Sequence, residues 1–276
     1  MSSTVAVSER QAGTAAGHYG FRGVARMEWI KLRSMRSTWW TLAVAAVAMV
    51  GLAILVLSIA SAHWATFSHA DKATFDPTET GFTGVAVAQL AMAVLGVLAV
   101  TGEYSSGMIR STFAAVPRRG LVIAAKAAVI GAVTLVTGEV LAFAAFVIGQ
   151  QFLAAPAPHA SLGQPGVLRA VALAGAYLAL IALLAAGIGT LVRRSAAAIA
   201  VLAGLIFVLP PVTLALSEGT QHTIQKFLPE IIAENSLTAV KTVPYSLSPW
   251  TGLAVLAGYT VVLLGAGAWL TARRDA

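Results

Sequence analysis

Six apolar stretches, each long enough to cross a lipid bilayer, dominate this sequence of 276 residues. A membrane-spanning helix needs about 20 mostly apolar residues, and a soluble protein lacks the polar surface to cover so many of them. Hydrophobic residues make up 58% of the chain and charged residues only 11%, which also excludes a disordered chain. The sequence therefore predicts an all-α polytopic membrane protein with six transmembrane helices. We place the spans at residues 39–60, 82–100, 121–148, 167–192, 196–216 and 250–270.

Lys and Arg are distributed unevenly between the two sides of these spans. Fourteen lie in one set of connections and termini, and four lie in the other set. Cytoplasmic loops of membrane proteins carry the excess of Lys and Arg, so we expect both termini to be cytoplasmic. The net charge of +7 then follows from this bias, without a nucleic-acid partner. We expect a multi-pass protein of the cytoplasmic (inner) membrane, in contact with membrane lipid.

The segment before the first span divides into two parts. Residues 1–20 are small and polar without a hydrophobic period, which predicts a disordered cytoplasmic leader. Residues 21–276 are predicted to form one six-helix transmembrane domain. Within it, residues 21–38 combine an apolar helical face with basic residues, which is typical of a helix lying on the membrane surface. An ordinary basic segment next to a span is the alternative.

The connection between the fifth and sixth spans, residues 217–249, is long and polar. Apolar residues from Ile224 to Ile232 follow helical spacing, and Pro229 suits the first position of a helix. We expect an outer helical segment that lies at the interface, or a re-entrant one that dips into the membrane and packs on protein. A simple surface loop is the alternative.

No arrangement of residues in the sequence matches a catalytic or metal-binding motif. Cys is absent, the five His are isolated, and neither HExxH nor GxSxG occurs. The P-loop pattern GxxxxGK[ST] is also missing, so ATP hydrolysis by that route is not expected in this chain. We predict that the chain is not an enzyme and binds no metal or cofactor directly.

Glu139 is the clearest charged residue at membrane depth, in the outer half of the third span. An acidic side chain within a bilayer is costly, and such residues by default mark functional sites. Glu139 is therefore a candidate for a substrate pathway. Pairing with Arg169 and an outward reach to the headgroups are the two structural alternatives.

The connection between the second and third spans, residues 101–126, carries the most informative pattern. Ile109, Phe113 and Val116 recur at three- to four-residue spacing, which predicts a short amphipathic helix from about Ser106 to Ala115. Pro117 then ends it, because Pro cannot continue the helical hydrogen bonds. A rigid helix here would transmit force from a soluble partner, and a structured turn with basic residues is the alternative.

This connection resembles the same region in the permease subunits of type-2 class ABC exporters. In that family an acidic residue ends the second span, a Gly opens a coupling helix, a Pro–basic pair ends it, and a Lys enters the third span. The matching residues here are Glu103, Gly107, Pro117-Arg118-Arg119 and Lys126. Residues 27–40 and 247–276 look like the start and end of actinobacterial members. Met108 departs from the Thr of many members.

The resemblance implies a transmembrane half-transporter that pairs with a second permease subunit, as a homodimer or heterodimer. Two separate ABC ATPase subunits would bind ATP and Mg²⁺, dock on the cytoplasmic face at residues 103–119, and drive export. The residues assigned to ATPase coupling are Glu103, Gly107, Ile109, Arg110, Phe113, Pro117, Arg118 and Arg119.

Three other functions fit a six-span chain. The first is a non-transporting sensor or immunity permease of the same fold. The second is a polytopic membrane enzyme, which would need a cluster of outer acidic and His residues that the sequence does not show. The third is an ion-coupled carrier using Glu139, although the sequence shows no inverted repeat of the kind that such carriers have.

Overall fold

The computed structural model describes residues 20–239 and 244–273, which form helices and no strand. Six helices in this part of the chain are long and apolar enough to cross a membrane, as predicted: α2, α5, α7, α8, α9 and α12 below. In chain order the helices are α1 (Phe21–Ser34), α2 (Arg36–Ala62), α3 (His69–Thr74), α4 (Pro77–Gly81), α5 (Val85–Ser105), α6 (Met108–Ala115), α7 (Arg119–Gln150), α8 (Val167–Val192), α9 (Ser195–Thr213), α10 (Glu218–Gln225), α11 (Pro229–Leu237) and α12 (Pro249–Arg273).

The span limits differ from the predicted ones by a few residues. α5 begins three residues later than expected, and α9 ends three residues earlier. Two spans contain a π-helical turn, Val47–Gly51 in α2 and Gly204–Val208 in α9. The turn in α9 precedes Pro210, whose ring would clash with the carbonyl group four residues earlier in a regular helix. The leader predicted over residues 1–20 lies, except for Gly20, outside the described residues.

α8 is the central helix, and most of its side chains are buried against α5, α7 and α12. Glycines bring these helices close together. A Cβ atom built on Gly96 of α5 would lie only 2.0 Å from the carbonyl oxygen of Ala182, and one on Gly138 of α7 only 2.8 Å from that of Gly175. Close contact through small residues is the usual basis of helix packing in lipid.

Exposed tryptophans mark two levels along the bundle. Trp250 and Trp269 of α12 are 66% and 54% exposed, and their separation along a helix is about 28 Å at 1.5 Å per residue. This distance is close to the hydrocarbon thickness of a bilayer, about 30 Å. Tryptophan is enriched at both membrane interfaces, so the pair fits a helix that spans the membrane.

The short helices α1 and α6 lie at one end of the bundle, which we call the basic end. The starts of α7 and α9 meet the ends of α12 and α5 there. Arg119 Nη1 donates a hydrogen bond of 2.9 Å to the carbonyl of Thr271, and the hydroxyls of Thr101 and Ser195 are hydrogen-bonded at 2.7 Å. The basic end thus contains both of the connections in which the sequence places clustered Arg residues.

Candidate functional site

α6 occupies the connection for which the sequence predicts a short helix. It begins at Met108, two residues later than expected, because Gly107 has a φ of +71°. This left-handed conformation is one that glycine adopts without steric cost. The helix ends at Ala115, as predicted, just before Pro117.

One face of α6 is buried. Ile109, Phe113 and Val116 pack in a cluster with Val24 of α1 and Val122 of α7. The i, i+4, i+7 spacing of the three α6-region residues places them on one side, which is why the pattern was visible in the sequence. α6 is therefore fixed to two other helices by apolar contacts.

The assigned coupling residues with basic side chains separate into two groups. Arg110 and Arg118 are exposed on the surface around α6, next to the exposed Pro117. Arg119 instead turns inward, toward the carbonyl of Thr271, and its guanidinium lies 5.4 Å from the centre of the Phe113 ring. Only the first group is placed to contact a soluble partner.

Four charged side chains form an ion cluster beside α6: the buried Glu28 of α1, Glu103 of α5 and Lys126 of α7, and the partly buried Lys31 of α1. Lys31 Nζ lies 3.0 Å from Glu28 Oε1 and 2.9 Å from Glu103 Oε1. Lys126 Nζ lies 2.9 Å from the same Glu103 oxygen and pairs with Glu28 Oε2. The side chains of Glu28 and Glu103 are only 2% and 5% exposed. Two positive and two negative charges balance, which is the condition for burying charge in a protein.

The ion cluster also reaches α6 itself. Lys31 Nζ donates a hydrogen bond of 3.0 Å to Thr112 Oγ1, and Lys126 Nζ donates one of 3.3 Å to the carbonyl of Ala99. Burial alone would lower the pKa of Lys31, but the hydrogen bond to Glu103 and the charge of Glu28 outweigh it and raise the pKa above 10.5. The cluster thus joins α1, α5, α6 and α7 through a charged lysine.

Glu103 and Lys126 were recognisable in the sequence through the family resemblance, whereas Glu28 and Lys31 were not. One signal was present. Glu28 lies four residues from Val24 and from Leu32 on the buried face of α1, and an acid on such a face needs a buried partner. One partner, Lys31, lies only three residues away, but the second partner, Lys126, was not visible because it lies 98 residues away in the chain.

The end of α5 is also tied to the link between α8 and α9. The guanidinium of Arg193 lies 5.1 Å from the centre of the Tyr104 ring, and Thr101 binds Ser195 as described above. A displacement of the end of α5 would therefore also move α8 and α9.

Glu139 lies 13 residues beyond Lys126 in α7, about 20 Å further along the helix. Its side chain is half-buried where α7 crosses Gly175 of α8. No residue that the structure describes forms a hydrogen bond or ion pair with it. Arg169, the partner weighed from the sequence, instead donates a hydrogen bond of 2.8 Å to the carbonyl of Thr238. The pathway role of Glu139 stays a prediction.

The connection between α9 and α12 contains the helices α10 and α11 and packs on the spans. Tyr259 Oη donates a hydrogen bond of 3.4 Å to the carbonyl of Phe227, and Ile232 lies against Gly252. Tyr259 is ten residues into α12, so the loop between α10 and α11 lies beside the helix about 15 Å from its start. α11 and the loop before it are therefore packed on protein, whereas α10 has no buried residue.

Across residues 20–239 and 244–273, no group of three or more His, Asp or Glu is arranged to hold a metal ion. Comparison with known protein families finds no match, and comparison with curated proteins finds none either. The candidate site is thus defined by its geometry: a short helix, exposed on one side, that apolar contacts and an ion cluster attach to three neighbouring helices.

Proposed function

We propose that this chain is the membrane-spanning subunit of an ABC exporter of the type-2 class. In this proposal the basic end and both termini are cytoplasmic, and α6 is the coupling helix on which a separate ATPase docks. The ATPase binds ATP and Mg²⁺, and a second permease subunit completes the transport path. The basic end carries the charge bias that is expected of a cytoplasmic side.

The observation that supports the proposal most strongly is the attachment of α6. Its apolar face is held by α1 and α7, and its Thr112 hydroxyl joins the ion cluster. Its other face, with Arg110, is exposed. Separating the charges of the cluster would leave unpaired ions in a buried site, which costs several kcal/mol. A force that acts on the exposed face is therefore transmitted to α1, α5 and α7 together.

The mechanism that fits this geometry is a shift between two states of the permease pair. ATP-driven closure of the ATPases moves the two copies of α6, and the ion cluster passes this movement to α5 and α7. ATP binding can favour one state only through contacts that differ between the states. α1 extends the same movement to α2, because only Met35 separates the two helices.

Two other features have a place in the proposal. Glu139 is a candidate for the wall of the substrate path, since it lies at membrane depth beside the central helix. The segment with α10 and α11 is the outer, partly re-entrant element that shapes the exit. Both assignments depend on the six helices spanning the bilayer with the basic end inside.

The proposal is tested by purifying the chain from its native membrane in mild detergent and measuring the ATPase activity that co-purifies. Reversing the exposed charges with Arg110→Glu and Arg118→Glu is expected to lower the recovered ATPase about tenfold or more, as charge reversal at an interface does. Lys72→Glu, at the opposite end of the bundle, is the matched control and should recover ATPase normally. Equal recovery from all variants would contradict docking at α6.

The same preparation separates the alternatives. A non-transporting permease would recover the ATPase, but its deletion would leave cellular export unchanged. A membrane enzyme or an ion-coupled carrier would be active with no ATPase present. For the carrier, Glu139→Gln would abolish proton-dependent uptake.

A further inference from the structure

A groove of about 610 Å³ lies between the spans α8, α9 and α12 and the loop that joins α10 to α11. Its volume falls within the range of small-molecule sites, roughly 300–1,000 Å³. The lining is almost entirely apolar and includes Leu184, Leu205, Phe227, Pro229, Val262 and Leu263. None of these residues belongs to the ion cluster or to the surface of α6.

The groove lies at the depth of the hydrocarbon region. Val262 is between Trp250 and Trp269, the two tryptophans that mark the interface levels on α12. Val262 itself is 67% exposed and Phe227 is 39% exposed, so the groove opens on the outer surface of the bundle. An apolar groove that is open at this depth faces acyl chains rather than water.

A cation lies at the edge of the groove. The Nζ atom of Lys226 is 5.1 Å from the centre of the Phe227 ring, which lines the groove. Lys226 is half-buried, and within the described residues it forms no ion pair or hydrogen bond. Glu230, four residues further along the chain in α11, forms no ion pair with it. A lysine in this position attracts an anionic group from the membrane.

We propose that this groove binds an anionic phospholipid, with one acyl chain between α9 and α12 and the phosphate at Lys226. The bound lipid connects the loop between α10 and α11 to the spans. It therefore stabilises the packing of that connection on the bundle. The inference goes beyond the proposed function and does not depend on it, because it requires only that the six helices span a bilayer.

The test uses the full-length chain in vesicles that contain phosphatidylglycerol with a photoreactive group in its acyl chain. After illumination, mass spectrometry is expected to find the label concentrated on the peptides that contain Leu205 and Val262. Val262→Trp fills the groove from its exposed side without disturbing a buried contact, and Leu205→Trp fills it from α9. Both should reduce this labelling to background, whereas Val136→Trp, on the exposed face of α7, should not change it.

The headgroup contact is tested with Lys226→Gln and a second probe, photoreactive phosphatidylcholine. The native chain is expected to prefer phosphatidylglycerol about fivefold, the effect of one lysine that pairs with an anionic lipid. Lys226→Gln should bring the two probes to parity, and an unchanged preference would overturn the phosphate contact.

Two results would overturn the acyl-chain site. One is labelling that is spread evenly over all exposed spans and unaffected by either Trp variant. The other is a cross-link between the groove and a second copy of the chain, which would show that protein rather than lipid fills it. Neither result bears on ATPase docking at α6, which lies at the basic end of the bundle.

Discussion

At the scale of single residues, the stability of the helix packing at the basic end depends on charge balance in the ion cluster. Each glutamate of the ion cluster contacts both lysines, so removing any one of the four residues leaves a net charge among the other three. Breaking a buried ion pair by removing one partner costs about 3–5 kcal/mol, whereas replacing a whole pair with neutral groups costs far less. The cluster should therefore behave as one unit in mutagenesis.

The first prediction concerns Lys126 and Glu103. Lys126→Gln alone should lower the free energy of unfolding by about 3 kcal/mol, because it leaves an unbalanced buried carboxylate. The double variant Glu103→Gln with Lys126→Gln restores neutrality and should lose less than Lys126→Gln alone. Denaturant unfolding of the purified chain in detergent measures both. Arg110→Gln, at an exposed position, is the control and should change stability little, while losses that simply add in the double variant would contradict the account.

The second prediction concerns the pH dependence of stability through Lys31. Its pKa is raised above 10.5 because the contacts with Glu103 and Glu28 outweigh the effect of burial. A raised lysine pKa contributes stability that is fully present below pH 10.5 and lost as the pH rises through the pKa of the folded state. The native chain should therefore exceed Lys31→Gln in thermal stability by a constant margin at neutral pH, and this margin should shrink above about pH 10.5.

Thermal unfolding at a series of pH values provides this comparison. Effects of alkaline pH on parts of the chain outside the ion cluster occur in both proteins and cancel in the difference. If the difference in thermal stability between the native chain and Lys31→Gln instead shrinks toward acidic pH, titration of a carboxylate rather than of Lys31 controls the pH dependence.

At the scale of the helices, close crossing points position α8 against its neighbours. The crossing of α5 and α8 at Gly96 leaves no room for a methyl group, since a Cβ there would lie 2.0 Å from the carbonyl oxygen of Ala182. Both groups are backbone or directly attached to it, so neither can move independently of its helix. The spacing of these two helices, and with it the position of Glu103 at the end of α5, depends on this glycine.

The third prediction follows from this crossing. Gly96→Ala should lower the free energy of unfolding by about 1–3 kcal/mol, the usual cost of overpacking a core. Gly265→Ala, in α12, is the matched control, because a Cβ there would meet nothing within 4 Å. That variant should be neutral or slightly stabilised by the higher helix propensity of Ala. Both variants are measured by unfolding in detergent. Equal stability would contradict the close contact between α5 and α8 at Gly96.

The elements differ in how far the sequence could predict them. The six spans were predictable, because length and apolar composition determine which segments can cross a bilayer. The helix over Met108–Ala115 was predictable from the spacing of Ile109 and Phe113, except for its start, which depends on the backbone angle of Gly107. The π turns had no local signal. The pairing of Glu28 with Lys126 was also hidden, because tertiary packing rather than local sequence brings them together.

At the scale of the whole molecule, one bundle leaves broad apolar faces on its outer spans. Val47 of α2, Val208 of α9 and Val261 of α12 are each more than half exposed. Lipid and another membrane-spanning protein are the two partners that such faces can have in a membrane. The proposed function places the partner subunit on one such face, and the separate lipid inference places an anionic phospholipid in the groove beside Lys226.

The central claim is that an ATPase docks on α6 at the cytoplasmic face. The chain contains no Cys, so Ser106→Cys creates a single attachment point for a photo-crosslinker at an exposed position next to α6. His159→Cys, exposed in the connection between α7 and α8 at the opposite end, is the control. In native membranes we expect Ser106→Cys, and not His159→Cys, to capture a protein with a P-loop, identified by mass spectrometry. Efficient labelling of Ser106→Cys from the cytoplasm with no such protein captured would contradict the claim.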